Sequence, residues 1–176
     1  MKKERMRKMN PSYFRIKLPF EEAKVRLCKW WGIDAPTELI NIDYFKAVES
    51  ACNENGNWRG AALYVYENDE WTVFEDLSGG FATIPADSWA KFAQKDSFIF
   101  AGYNDAIPYG ELIVIDDGEI IREFLDFSDE PEENVDIGKL EQEEETPIES
   151  WCEVASFVDE DDIAFSDTGW LWVQCN

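Results

Sequence analysis

The chain of 176 residues contains no histidine. That absence removes the commonest general base and the commonest transition-metal ligand. It also excludes a Ser–His–Asp triad. Phosphate-cradling loops are missing: the only adjacent glycines are Gly79 and Gly80, and neither GxGxxG nor a Walker-type GxxxxGK occurs. There is no GxSxG nucleophile elbow. The four cysteines, Cys28, Cys52, Cys152 and Cys175, form no CxxC pair. They read as small hydrophobes, and no metal site is expected from them. No EF-hand loop fits either, because the glycine position holds Pro131 when counted from Asp126 and Ala164 when counted from Asp159. Apolar runs are far too short to span a bilayer. The basic start "MKKERMRKMN" leads into "PSYFRIKLPFEEAKVR", which charges interrupt throughout, so no signal peptide is expected and a cytoplasmic location is.

What the chain does have is negative charge and aromatic mass. The formal net charge is −22, while hydrophobic residues make up 45% and aromatics 15%. That is too apolar for a disordered chain, so the core must be good enough to resist strong self-repulsion. Residues 1–29 carry ten Lys/Arg against three Glu; the remaining 147 carry six Lys/Arg against 35 Asp/Glu. We expect a disordered basic tail over 1–10 and a single domain over 11–176. The acidic body repels nucleic acid and anionic membranes and draws in basic partners.

Periodicity supplies the elements. "EEAKVRLCKWW" (21–31) has helical spacing and stops at Gly32. "PTELINIDYFKAVESACNE" (36–54) places Ile40, Tyr44, Ala47, Val48 and Ala51 on one helical face. The period then changes to two. "AALYVYENDEWTVFED" (61–76) reads as a hairpin, "FATIP" as a short strand, and "ADSWAKFAQ" as a short helix with Asp87 as its N-cap. "SFIFAGY" reads as a central strand, and "ELIVIDDGEIIREFLDF" (111–127) as a second hairpin turning at Asp117-Gly118. "PIESWCEVASFV" (147–158) has a helical apolar face, and "GWLWVQC" closes the chain as a strand. The order predicts an α+β fold: an antiparallel sheet of about five to seven strands packed against helices.

Two stretches stand apart. "AGYNDAIPYGELIVI" (101–115) is irregular, polar and aromatic. Its structural explanation is a hairpin loop with tyrosines packed at the base; its functional one is a recognition loop using Tyr103, Asn104, Asp105 and Tyr109. "DEPEENVDIGKLEQEEE" (129–145) holds nine acids and one lysine. Pro131 and Gly138 interrupt it, and Val135, Ile137 and Leu140 offer anchors. We therefore expect an acidic loop tied to the body, ending in a helical turn over 139–145.

Size, acidity and the helix-then-meander order resemble those of the small bacterial immunity proteins of toxin–immunity systems. The order is also distantly similar to the SMI1/KNR4 superfamily, whose Gly-rich helix-to-strand passage finds its nearest counterpart in "NENGNWRG" (53–60). The resemblance implies a cytoplasmic, non-catalytic protein without cofactors that neutralises a basic toxin, such as a nuclease, by covering its cationic surface. On that reading Asp129, Glu130, Glu132, Glu133, Asp136, Glu141, Glu143, Glu144 and Glu145 are steering charges, and the four residues of the 103–109 loop are contacts. Two alternatives stay open: a nucleic-acid mimic acting on a DNA-binding protein, and a hydrolase using paired carboxylates or a divalent metal.

Overall fold

The computed structural model of the chain describes residues 12–33, 37–160 and 168–175. The basic tail lies outside the described residues. These form nine strands and four helices: β1 Ser12–Ile16, α1 Phe20–Trp31, β2 Thr37–Ile42, α2 Tyr44–Ala51, β3 Gly60–Asn68, β4 Trp71–Asp76, α3 Ala86–Ala93, β5 Phe98–Asn104, β6 Tyr109–Asp116, β7 Glu119–Phe127, β8 Val135–Gly138, α4 Trp151–Glu160 and β9 Gly169–Cys175. The strands make one open sheet in the order β2-β9-β3-β4-β1-β5-β6-β7-β8. Every neighbouring pair is antiparallel. The fold is α+β, as expected, but nine strands exceed the five to seven predicted. No helix among the described residues is long and apolar enough to cross a membrane.

The extra strands come from three places where local pattern lost to tertiary pairing. β1 occupies the middle of the sheet between β4 and β5. Its five residues SYFRI carry a charge, which hid the alternation that packing makes plain: Phe14 and Ile16 are buried on one face and Tyr13 on the other. The helix expected over 36–54 splits at Asp43. The Asp43 carboxylate accepts the Lys46 N–H at 3.0 Å and caps α2 from there. The residues before it join β9 as a strand, with Ile40 65% exposed rather than on a buried helix face. β8, in the acidic stretch, pairs with β7.

"FATIP" is not a strand. Phe81 and Thr83 give their N–H groups to carboxylates instead of to a ladder. α3 is preceded by Pro85, and Asp87 lies in its first turn rather than at its cap. The helix expected from Pro147 starts at Trp151; Ile148 is buried ahead of it and Cys152 is exposed. Cys28 and Cys52 are half-buried.

Alternation along each strand gives the sheet two apolar faces. On the first, α1 and α3 cover an aromatic core built on Phe14, Phe74, Phe81, Trp89, Phe92, Phe98 and Phe100. Phe14 stacks on Phe74 at 4.6 Å between ring centroids and meets Trp89 at 4.9 Å. Trp89 is fully buried, and truncation of such a residue costs about 3–5 kcal/mol. On the second face α4 packs over β5 and β6 with Tyr13, Ala101, Leu112, Phe124 and Val154, while α2 packs over β3 and β9 with Tyr64, Val73 and Leu171. α4 comes very close to the sheet at Gly110, where an added Cβ would stand 2.7 Å from the Trp151 Cα.

Candidate interaction surface

The hairpin β6–β7 turns at Asp117 (φ +46°) and Gly118 (φ +81°), a two-residue reversal matched to strand twist. It delivers Arg122 to the second face of β7, with its side chain 1% exposed. Arg122 is one of only six basic residues after position 29. Its Nε and Nη2 grip the Glu143 carboxylate as a fork, at 2.8 and 3.1 Å. Its Nη1 reaches Asp136 at 2.6 Å and the Ile137 carbonyl at 3.1 Å, and Nη2 also reaches the Ile148 carbonyl at 3.3 Å. The guanidinium lies 5.2 Å from the centroid of Phe124. Glu143 in turn accepts the N–H groups of Leu140 and Ile148. One buried cation thus gathers β8, the turn at Glu141–Glu144 and the approach to α4.

The acidic stretch is therefore ordered backbone pinned at named points. Short 3-10 turns at Pro131–Glu133 and Glu141–Glu144 flank β8. Asn134 ties the first turn to β7: its Oδ1 accepts the Phe127 N–H at 2.7 Å and its Nδ2 donates to Asp126. Gly138 is required where β8 ends. It has φ +72°, and a Cβ there would collide with the Ile121 carbonyl oxygen at 2.0 Å. Val135 is half-buried and Leu140 packs on the α4 cluster, but Ile137 is 57% exposed and anchors nothing.

The 104–109 turn lies beside the start of this stretch, since the Ser128 N–H donates to the Pro108 carbonyl at 3.0 Å. Asn104 organises the turn, its Oδ1 accepting the N–H groups of Ala106 and Ile107. Asp105 and Ile107 are exposed at its tip. The two tyrosines do not converge. Tyr103 is 5% exposed and stacks on Trp151 on the second face. Tyr109 points to the first face, against Phe127, and donates its hydroxyl to Glu111.

Of the residues singled out from sequence, Asp105, Asp129, Glu130, Glu132, Glu133, Asp136, Glu141, Glu144 and Glu145 are exposed. Asn104 and Tyr109 are half-buried. Tyr103 and Glu143 are inside the fold, so neither presents its side chain to a partner. Sequence reasoning missed Arg122, although a lone arginine in an alternating strand beside an acidic run was the available signal.

A second polar centre also went unread. The segment after β4, "LSGGFATIP", crosses the first face as a strap held by three carboxylates. Asp76 accepts the N–H groups of Gly79, Gly80 and Phe81. Glu111, 4% exposed, accepts the Thr83 N–H at 3.0 Å and the Tyr109 hydroxyl. Glu123 accepts the Ala86 N–H at 3.4 Å, at the start of α3. Burial raises the Asp76 carboxyl above its usual range and pushes Glu111 up to about 7. The Tyr109 phenol is raised too, by burial and then by the Glu111 charge.

Carboxylates elsewhere serve as local ties. A cleft of about 410 Å³ beside the β3–β4 turn is lined by Lys17, Glu67, Glu70 and Trp71. There Glu67 accepts the Phe20 N–H and Glu70 pairs with Lys17. Among the described residues no three His, Cys, Asp or Glu side chains stand close enough to share a metal ion. Comparison with family models, with curated proteins and with solved structures finds no match to this chain.

Proposed function

We propose that this is an acidic, non-catalytic binding protein that neutralises a basic partner, a toxin domain directed at nucleic acid, by covering its cationic surface. The observation that carries the reading is the pinning of the acidic stretch by Arg122. Its exposed carboxylates project from an ordered sheet edge, contiguous with the Asn104–Tyr109 turn. A surface already ordered loses little conformational entropy on binding, and its field accelerates the approach of a basic partner. The contacts assigned to this surface are Asp105, Ile107, Asp129, Glu130, Glu132, Glu133, Asp136, Glu141, Glu144 and Glu145.

The test is a pull-down from the native host with tagged protein at low and moderate salt, bound proteins being identified by mass spectrometry. One stoichiometric basic partner is the expected result. Charge reversal at Glu141, Glu144 and Glu145 to Lys then slows its association and flattens the salt dependence. General DNA-binding proteins lost as salt rises would point to mimicry instead. No partner at either salt, or association unaffected by the triple reversal, would overturn the reading.

A further inference from the structure

The strap from Leu77 to Pro85 combines three features. Its anchor, Phe81, is fully buried among aromatic rings, 4.5 Å from Trp31 and 5.4 Å from Phe14 between centroids. Its crest, Thr83, is an exposed β-branched residue at φ +60°, a conformation such residues rarely adopt. The bond that holds Thr83 there runs from its N–H to Glu111. Trp89 and Trp172 neighbour Phe81, at 6.5 and 6.4 Å between ring centroids, and their buried indole N–H groups have no acceptor among the described residues.

Among the described residues, the charge that acts on Glu111 directly is acidic. Glu123 faces it from β7, and Asp76 acts on its hydrogen-bond partner Tyr109 from β4. From α3, Asp87 and Lys91 lie on the exposed side. An ionised Glu111 under the closed strap therefore has two hydrogen-bond donors but no cation among the described residues. At 4% exposure it gains full hydration only when the strap lifts.

We propose that Glu111 is a proton-operated latch: the strap is held over the aromatic core while this carboxyl carries its proton and opens more readily once the proton is lost. Closure favours the protonated form, so acid tightens the strap. With a carboxyl titrating near 7 when closed and near its ordinary 4.5 when open, the closed-to-open ratio falls about fortyfold between pH 5 and 7, then levels off. The latch goes beyond the partner reading and is tested on the free protein, so either can fail without the other.

The experiment is native-state hydrogen–deuterium exchange of the full chain from pH 5 to 8, corrected for intrinsic exchange chemistry and read in peptides covering the strap. Wild type loses protection about fortyfold from pH 5 to 7 and then levels. Glu111→Gln stays flat. Tyr109→Phe removes a donor to the anion, so its loss of protection continues above pH 7. A flat wild-type profile, or a Glu111→Gln profile that falls like the wild type, would overturn the proposal. Should Glu111→Gln fail to fold, Tyr109→Phe decides: levelling at the wild-type pH would equally overturn it.

Discussion

Arg122 and Glu111 lie on neighbouring strands, and the fold treats their charges in opposite ways. Around Arg122 a buried cation is wrapped by two carboxylates and three carbonyls, Ile137, Ile148 and Glu123, so the charge is matched on every side. Around Glu111 a buried acid meets, among the described residues, only a backbone N–H and a phenol, with another acid nearby. The first arrangement fixes an element in place. The second holds one conditionally, because its anionic form is disfavoured by burial. A chain with 38 acids and 16 bases cannot neutralise each acid with a partner. It places its scarce internal cation under the acidic edge and holds the strap with N–H donors.

The largest effect is expected at Arg122. Replacement by Met leaves Glu143 buried without its partner, which costs about 3–5 kcal/mol in chemical denaturation. Replacing Glu143 by Leu as well removes the orphan charge and recovers much of that loss. If the single and double variants were equally unstable, the matched-charge description would be wrong.

Next comes Glu111→Gln, whose effect depends on pH. The folded pKa of Glu111 lies above its unfolded value, so its contribution is complete below pH 4.5 and is lost as pH rises through 7. The glutamine variant therefore matches wild type in acid and exceeds it by about 3 kcal/mol at pH 8. Thermal melts at both pH values check this; a variant less stable at pH 8 would break the contrast. Asp76→Asn is smaller. It keeps one acceptor for N–H groups that now share two carboxylate oxygens, at a cost of about 1–2 kcal/mol. The least disturbance to stability comes from Lys at Glu141, Glu144 and Glu145 together, within about 0.5 kcal/mol because all three are exposed.

How much of this was legible in the chain depends on where the deciding partner sits. The hairpins at 61–76 and 111–127 and the closing strand declared themselves through alternation and through Asp117-Gly118, signals contained within a few residues. β1 and β2 did not, because each becomes a strand by pairing with segments distant in sequence. The acidic stretch was recognised, with its helical turn, but its exposed and internal members were indistinguishable by residue type. Glu143 and Glu144 are adjacent and identical; only the position of Arg122, 21 residues earlier, buries one and leaves the other in water. "FATIP" suits a strand by residue type, but the carboxylates that claim the N–H groups of this segment and of Ala86 after it come from β4, β6 and β7.

The acidic stretch is a preformed surface, and backbone order in the free protein tests that most directly. Nitrogen-15 relaxation across Asp129–Glu145 should give order parameters of about 0.85 for Val135–Gly138 and Glu143, like the strands they join. Values below about 0.6 throughout the stretch would describe a mobile acidic spacer and contradict the account.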